Sequence, residues 1–139
     1  MANPANSTAY RLNDGRMAVD VTEAKTLAAA DTGYVQNVIY ANGVVTLPST
    51  AAGLVFTIRN GGVPVTGGPD GTGDDGNLIS ISPAAADLIE GGVTGTATDN
   101  KDLQNTAATA RVGDEVTLIG GDADGWNVLE IKGVWAREA

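Results

Sequence analysis

The chain contains neither cysteine nor histidine among its 139 residues. Without cysteine there is no disulfide, no thiolate nucleophile and no cysteine metal ligand. Without histidine the commonest general base and zinc ligand is missing, and a Ser-His-Asp triad is impossible. Aromatic residues are scarce as well, with one phenylalanine (Phe56), three tyrosines and two tryptophans. Aromatic side chains contribute the largest buried area per residue, so the core is expected to be modest, and stability to draw on association with copies of itself or docking to a larger body. Cations are few, eight Lys and Arg against seventeen Asp and Glu, for a net charge of −9. Residues 60 to 130 hold twelve of the carboxylates against Lys101 and Arg111 alone. Phosphate is repelled by such a surface and no basic stripe offsets the repulsion, which excludes nucleic acid as an expected partner. No apolar run approaches the ~20 residues needed to span a bilayer, and the amino terminus lacks the basic start and apolar block of a signal peptide. Synthesis in the cytoplasm, no membrane partner and no classical export are therefore expected.

What is present is strand signal. The length fits one domain. Residues 1–16 have no apolar periodicity and read as an extended arm whose only sizeable apolar side chains are Tyr10 and Leu12; residues 17–139 read as a single β-domain. Val19 and Val21 alternate with Asp20 and Thr22, Leu54, Phe56 and Ile58 with Val55, Thr57 and Arg59, and Ile79 and Ile81 with Ser80 and Ser82. Period two with polar residues opposite means half-buried strands. Asn42-Gly43, between 34–40 and 44–47, predicts a type I′ hairpin. Ser82-Pro83-Ala84-Ala85-Ala86-Asp87-Leu88-Ile89 is the best helix candidate, with Ser82 as cap and Pro83 in the first turn. The expected fold is all-β, a small sandwich or barrel-like domain with an extended amino-terminal arm and at most one short helix.

Candidate chemistry is sparse. Asp70, Asp74 and Asp75 sit among glycines as in a calcium loop, but their spacing fits no EF-hand, and a solvated hairpin tip is the simpler expectation. Asp122-Ala123-Asp124-Gly125 places its glycine too early for that motif and reads as a tight turn. The adjacent pairs Asp114-Glu115 and Asp74-Asp75 point to opposite faces of a strand, so neither forms the two-carboxylate arrangement of a glycosidase. Gly61-Gly62 and Gly91-Gly92 are not followed by the Lys-Ser or Lys-Thr of a phosphate loop. No catalytic activity, cofactor or metal is expected.

Near the end of the chain, Trp126 and Val128 point to one face of a strand while Leu129, Ile131 and Trp135 point to the other. Either a bulge shifts the register or both faces are covered, as packing against a neighbouring subunit would do. Phe56, Trp126 and Trp135 are the expected core or subunit-packing residues.

Three blocks in order carry a family likeness: Gly43-Val44-Val45-Thr46-Leu47-Pro48 running through Ala51-Ala52-Gly53 into Leu54-Val55-Phe56-Thr57-Ile58; then Gly113-Asp114-Glu115-Val116-Thr117-Leu118; then Gly125-Trp126-Asn127-Val128-Leu129-Glu130-Ile131-Lys132-Gly133-Val134-Trp135. Together they resemble a small β-module of tailed-bacteriophage virion proteins, known from capsid decoration proteins and from head or tail fibres. The likeness spans roughly residues 31 to 138. It implies a capsid decoration, or cement, protein made in the host cytoplasm that binds the exterior of the assembled head as a homotrimer. Its partners would be the major capsid protein and copies of itself. On that reading Tyr10, Arg11, Leu12 and Arg16 of the arm are the expected capsid or neighbour contacts. The alternatives are a head or tail fibre or receptor-binding module, and a carbohydrate-binding module or polysaccharide-degrading enzyme with an exposed tryptophan platform.

Overall fold

A computed structural model describes residues 9–62, 78–106 and 108–139. The structure is almost all β, in two mixed sheets, so the expected all-β fold class holds. The loop carrying Asp70, Asp74 and Asp75 lies outside the described residues, as do residues 1–8 of the arm.

Most successive strands alternate between the sheets. β1 (Tyr10–Arg11) pairs antiparallel with β2 (Met17–Val21) at one edge of the seven-stranded sheet. The chain then crosses to the five-stranded sheet for β3 (Lys25–Thr26), returns for β4 (Val35–Val38), crosses for β5 (Gly43–Thr46), returns for β6 (Val55–Asn60) and crosses again for β7 (Ile79–Ser82). β2, β4 and β6 are parallel, and so are β3, β5 and β7. The first half is thus a parallel coil of three turns, each laying one strand in each sheet. β8 (Leu88–Glu90) is followed by the reversal: β9 (Leu103–Asn105) runs antiparallel to β7, and β10 (Glu115–Asp122) antiparallel to β6. β11 (Gly125–Lys132) and β12 (Trp135–Arg137) reverse again beside β10 and β9, and β8 pairs in parallel with β11.

Alternation explains which side chains fill the space between the sheets. Along β6, Phe56, Ile58 and Asn60 are buried while Val55, Thr57 and Arg59 are partly exposed. Phe56 meets Trp126 with ring centroids 5.5 Å apart, and Val38, Val45, Ile79, Ile81, Val116 and Leu118 complete the centre. One inward row of the five-stranded sheet runs Lys25, Val45, Ile81, Leu103, Arg137, apolar in the middle with a cation at each edge. Arg137 closes its end by donating to the carbonyls of Ile89 and Gly95; Lys25 closes the other.

Three local expectations are corrected. Ser82–Ile89 is not a helix: Ser82 ends β7, a turn with Asp87 N–H donating to Ala84 O at 2.9 Å follows, and Leu88 opens β8. Two turns of helix are marginal by themselves. The Asp87 carboxylate is used instead to accept from Thr50 N–H at 2.8 Å, and the chain continues as a strand paired with β11. Asn42 has the expected positive φ of 53°, but its turn carries the chain from one sheet to the other rather than closing a hairpin, because β4 and β5 belong to different sheets. The two tryptophans do not lie on one strand either. Trp126 reaches the interior from the seven-stranded sheet and Trp135 from the five-stranded one, 0% and 5% exposed. The register break between them is a bulge: Thr117 faces Glu130 while Leu118 faces Val128, which leaves Leu129 over and 56% exposed.

Candidate interaction face

The outer surface of the seven-stranded sheet gathers an ordered row of polar side chains. Cross-strand register places Asp20, Asn37, Arg59, Glu115 and Lys132 side by side on β2, β4, β6, β10 and β11. Each is an outward position of a strand whose alternate residues fill the core. Hydrogen bonds link the row: Asn37 Nδ2 donates to Asp20 Oδ1 at 3.1 Å, and Arg59 Nη1 to Asn37 Oδ1 at 2.8 Å. The next row, Ala18, Val35, Thr57, Thr117 and Glu130, is smaller and more apolar, with the two threonine hydroxyls 2.9 Å apart.

The segment 9–16 packs onto this face. Tyr10 lies opposite Ala18, and its hydroxyl donates to Asp20 Oδ1 at 2.6 Å. That bond, then burial, raises the tyrosine pKa above its usual value. The turn after β1 is tied by Leu12 N–H to Arg16 O at 2.7 Å and by Arg16 N–H to Asp14 Oδ1 at 3.0 Å. The Arg16 guanidinium donates to Asp14 Oδ2 at 2.8 Å, and the backbone bond and then this one hold the Asp14 carboxyl below its ordinary range. Arg16 then reaches across the face to Glu115 at 3.0 Å. Two hollows result. One, of about 320 Å³, is lined by Tyr10, Leu12, Arg16, Ala18, Val35, Asn37 and Arg59. The other, of about 280 Å³, lies between Glu115, Thr117, Glu130, Ile131 and Lys132.

Of the four arm residues singled out from sequence, the structure brings Tyr10, Leu12 and Arg16 together around one hollow. Arg11, the next residue along β1, donates instead to Gly15 O at 3.4 Å and does not line it. Asp20, Asn37, Arg59 and Lys132 were not found by sequence reasoning, and Glu115 was weighed only as a carboxylate pair with Asp114. Each looks like an ordinary solvent-facing strand residue, and only the register between strands distant in sequence makes them a row.

At the turn joining β10 to β11, Asp122 and Asp124 meet Glu90, which the pairing of β8 with β11 delivers; their carboxylate oxygens lie within 4.8 Å of one another. Both Asp122 oxygens are occupied, one by Asp124 N–H at 3.0 Å and the other by Asn127 Nδ2 at 2.9 Å. These bonds lower the Asp122 pKa and lock the tight turn that the sequence predicts. The tryptophans offer no sugar platform, since both are inside. No helix among the described residues is long and apolar enough to cross a membrane. Comparison with protein-family models, curated proteins and solved structures finds no match to this chain.

Proposed function

We propose that this chain is a bacteriophage capsid decoration protein. It binds the outside of the assembled head as a homotrimer and contacts the major capsid protein through Tyr10, Leu12 and Arg16 and the adjoining outer face of the seven-stranded sheet. The observation that carries the reading is the convergence of Tyr10, Leu12 and Arg16 on one hollow with Asn37 and Arg59. Polar side chains of both signs, already fixed by bonds to one another, lose little freedom when a second protein surface covers them. Support also comes from the likeness in sequence, whose three blocks fall on β5 with β6, on β10 and on β11 with β12. The action is mechanical and involves no catalysis: a protein that binds only the intact shell stabilises it by mass action.

The test is cosedimentation of the purified chain with capsids stripped of it, with imaging to place the bound copies. Saturable binding at regular positions over the shell is the expected result. Absence from the shell with density at a vertex or tail overturns the reading in favour of a fibre module.

A further inference from the structure

Three buried side-chain polar atoms among the described residues have no hydrogen-bond partner, and two of them, Asp31 Oδ1 and Gln36 Nε2, belong to one cluster. The third member is Lys25, on the edge strand β3 and facing inward. Its Nζ lies 2.6 Å from Gln36 Oε1 and 3.4 Å from Asp31 Oδ1. Gln36 is fully buried and Asp31 is 1% exposed, and the Lys25 side chain is 17% exposed. Asp31 is held in place at the end of a 3-10 turn by Ala28 N–H, which donates to Oδ2 at 2.9 Å and leaves Oδ1 turned toward the amine. A cation, a carboxylate and a primary amide are thus enclosed together where orphaned donors and acceptors are costly.

We propose that Lys25 and Gln36 condense spontaneously into an intramolecular amide, with Asp31 moving the proton. The Lys25 ammonium gives one proton to Asp31, and the free amine attacks the Gln36 carboxamide carbon. The Nζ–Cδ bond forms and the Cδ–Nε2 bond breaks. The departing nitrogen takes the proton held by Asp31 and a second one from Nζ, and leaves as ammonium. Ammonium and amide become amide and ammonium, so atoms and charge balance and no oxidant or co-reactant is needed. Burial already disfavours the charged amine, lowering the Lys25 pKa despite the nearby carboxylate. The product removes the orphaned Nε2 altogether and keeps one N–H on Nζ facing Asp31 Oδ1. The bond would tie β3 of one sheet to β4 of the other at the open end of the coil, where few strands hold the sheets together.

The test is mass spectrometry of the full chain, purified folded and then unfolded for digestion. The expected intact mass is lower than the sequence mass by one ammonia. Trypsin should fail to cut after Lys25, and cleavage beside Asp31 should leave the two segments attached through Lys25 and Gln36. Lys25→Arg should restore the full mass, and Asp31→Asn should leave most of the chain unlinked. Full mass with ordinary tryptic cleavage after Lys25 overturns the proposal and leaves the cluster as a buried ion pair with water on Gln36. Ammonia loss that persists in Lys25→Arg also overturns it, placing the loss at succinimide formation in Asn42-Gly43 or Asn60-Gly61. The wild-type measurement alone decides the matter if either variant does not fold.

Discussion

Asn105 Nδ2 donates to Asp114 Oδ2 across 3.1 Å, and both residues are almost wholly buried. The bond sits where the parallel coil gives way to antiparallel strands, between the end of β9 and the start of β10. Around it Asn60 Nδ2 donates to Asn105 Oδ1 at 2.7 Å, Arg111 N–H to Asp114 Oδ2 at 2.9 Å, and Asn105 Nδ2 also to Val134 O at 3.0 Å. One polar knot therefore holds β6, β9, β10 and the lead-in to β12, the four segments that must meet for the chain to reverse.

Removing a member of this knot leaves buried partners without bonds. Asn105→Ala is expected to cost about 1 to 3 kcal/mol, the usual penalty for an orphaned buried polar group. Gly133→Ala should be at least as damaging, because Gly133 has φ +95° and a Cβ there would collide with the Asp114 carboxylate. Urea unfolding checks both. A loss within 0.5 kcal/mol, the ordinary range ~0.5 kcal/mol of a surface substitution, would mean the knot is not what closes the reversal.

Phe56 and Trp126 pair at the centre of the core. Both tryptophans are shielded, so native fluorescence should resist a neutral soluble quencher and become accessible only on unfolding. Trp126→Ala should cost about 3 to 5 kcal/mol, the range for deleting a large buried aromatic. Ready quenching in the folded state would place at least one indole at the surface and revive a sugar-platform reading.

Tyr10 supplies a pH-dependent link between β1 and the outer face. Its folded pKa lies above the ordinary 10.0 because the phenol donates to Asp20. A raised acid binds its proton more tightly in the folded state, so this contribution to stability is complete below the unfolded value and is lost as pH rises through the folded one. Tyrosinate absorbance should show Tyr10 titrating above its ordinary value, and Asp20→Ala should bring it back toward that value. An unchanged titration in that variant would sink the assignment.

Period two in the sequence correctly marks β2, β6 and β7, because burial of one strand face is a local property of the residues themselves. It says nothing about the partner. Asn42-Gly43 encodes a reversal of direction, and the same positive-φ turn serves a hairpin or a crossing between sheets, so the parallel coil was illegible there. Ser82–Ile89 reads as helical because Ser82 can cap and Pro83 can open a first turn, local signals that the Thr50 to Asp87 bond and pairing with β11 override. The candidate face was half legible: Tyr10, Leu12 and Arg16 stood out in a bare segment, whereas Arg59 and Glu115 acquire meaning only as neighbours. Glu90 joins Asp122 and Asp124 for the same nonlocal reason. The broken alternation around Leu129 leaves a bulge and a covered second face both open, and the register shift between Thr117 and Leu118 is the bulge.

The ion pair between Arg16 and Glu115 separates folding from docking. The Arg16 side chain is 46% exposed and that of Glu115 is 24% exposed, and pairs in such surroundings contribute about 0 to 1 kcal/mol. Arg16→Ala should therefore leave the urea midpoint nearly unchanged. If the outer face docks on the shell, the same substitution strips a charged group from the centre of the contact and leaves its partners unpaired. Cosedimentation should then weaken about tenfold or more, the equivalent of about 1.4 kcal/mol or above. Arg11→Ala, on the other side of β1 and away from the hollow, should bind as the unaltered chain does. Equal losses for Arg11→Ala and Arg16→Ala would point to diffuse charge attraction rather than this face, and added salt would then abolish both alike. No loss for Arg16→Ala would move the docking surface elsewhere on the molecule.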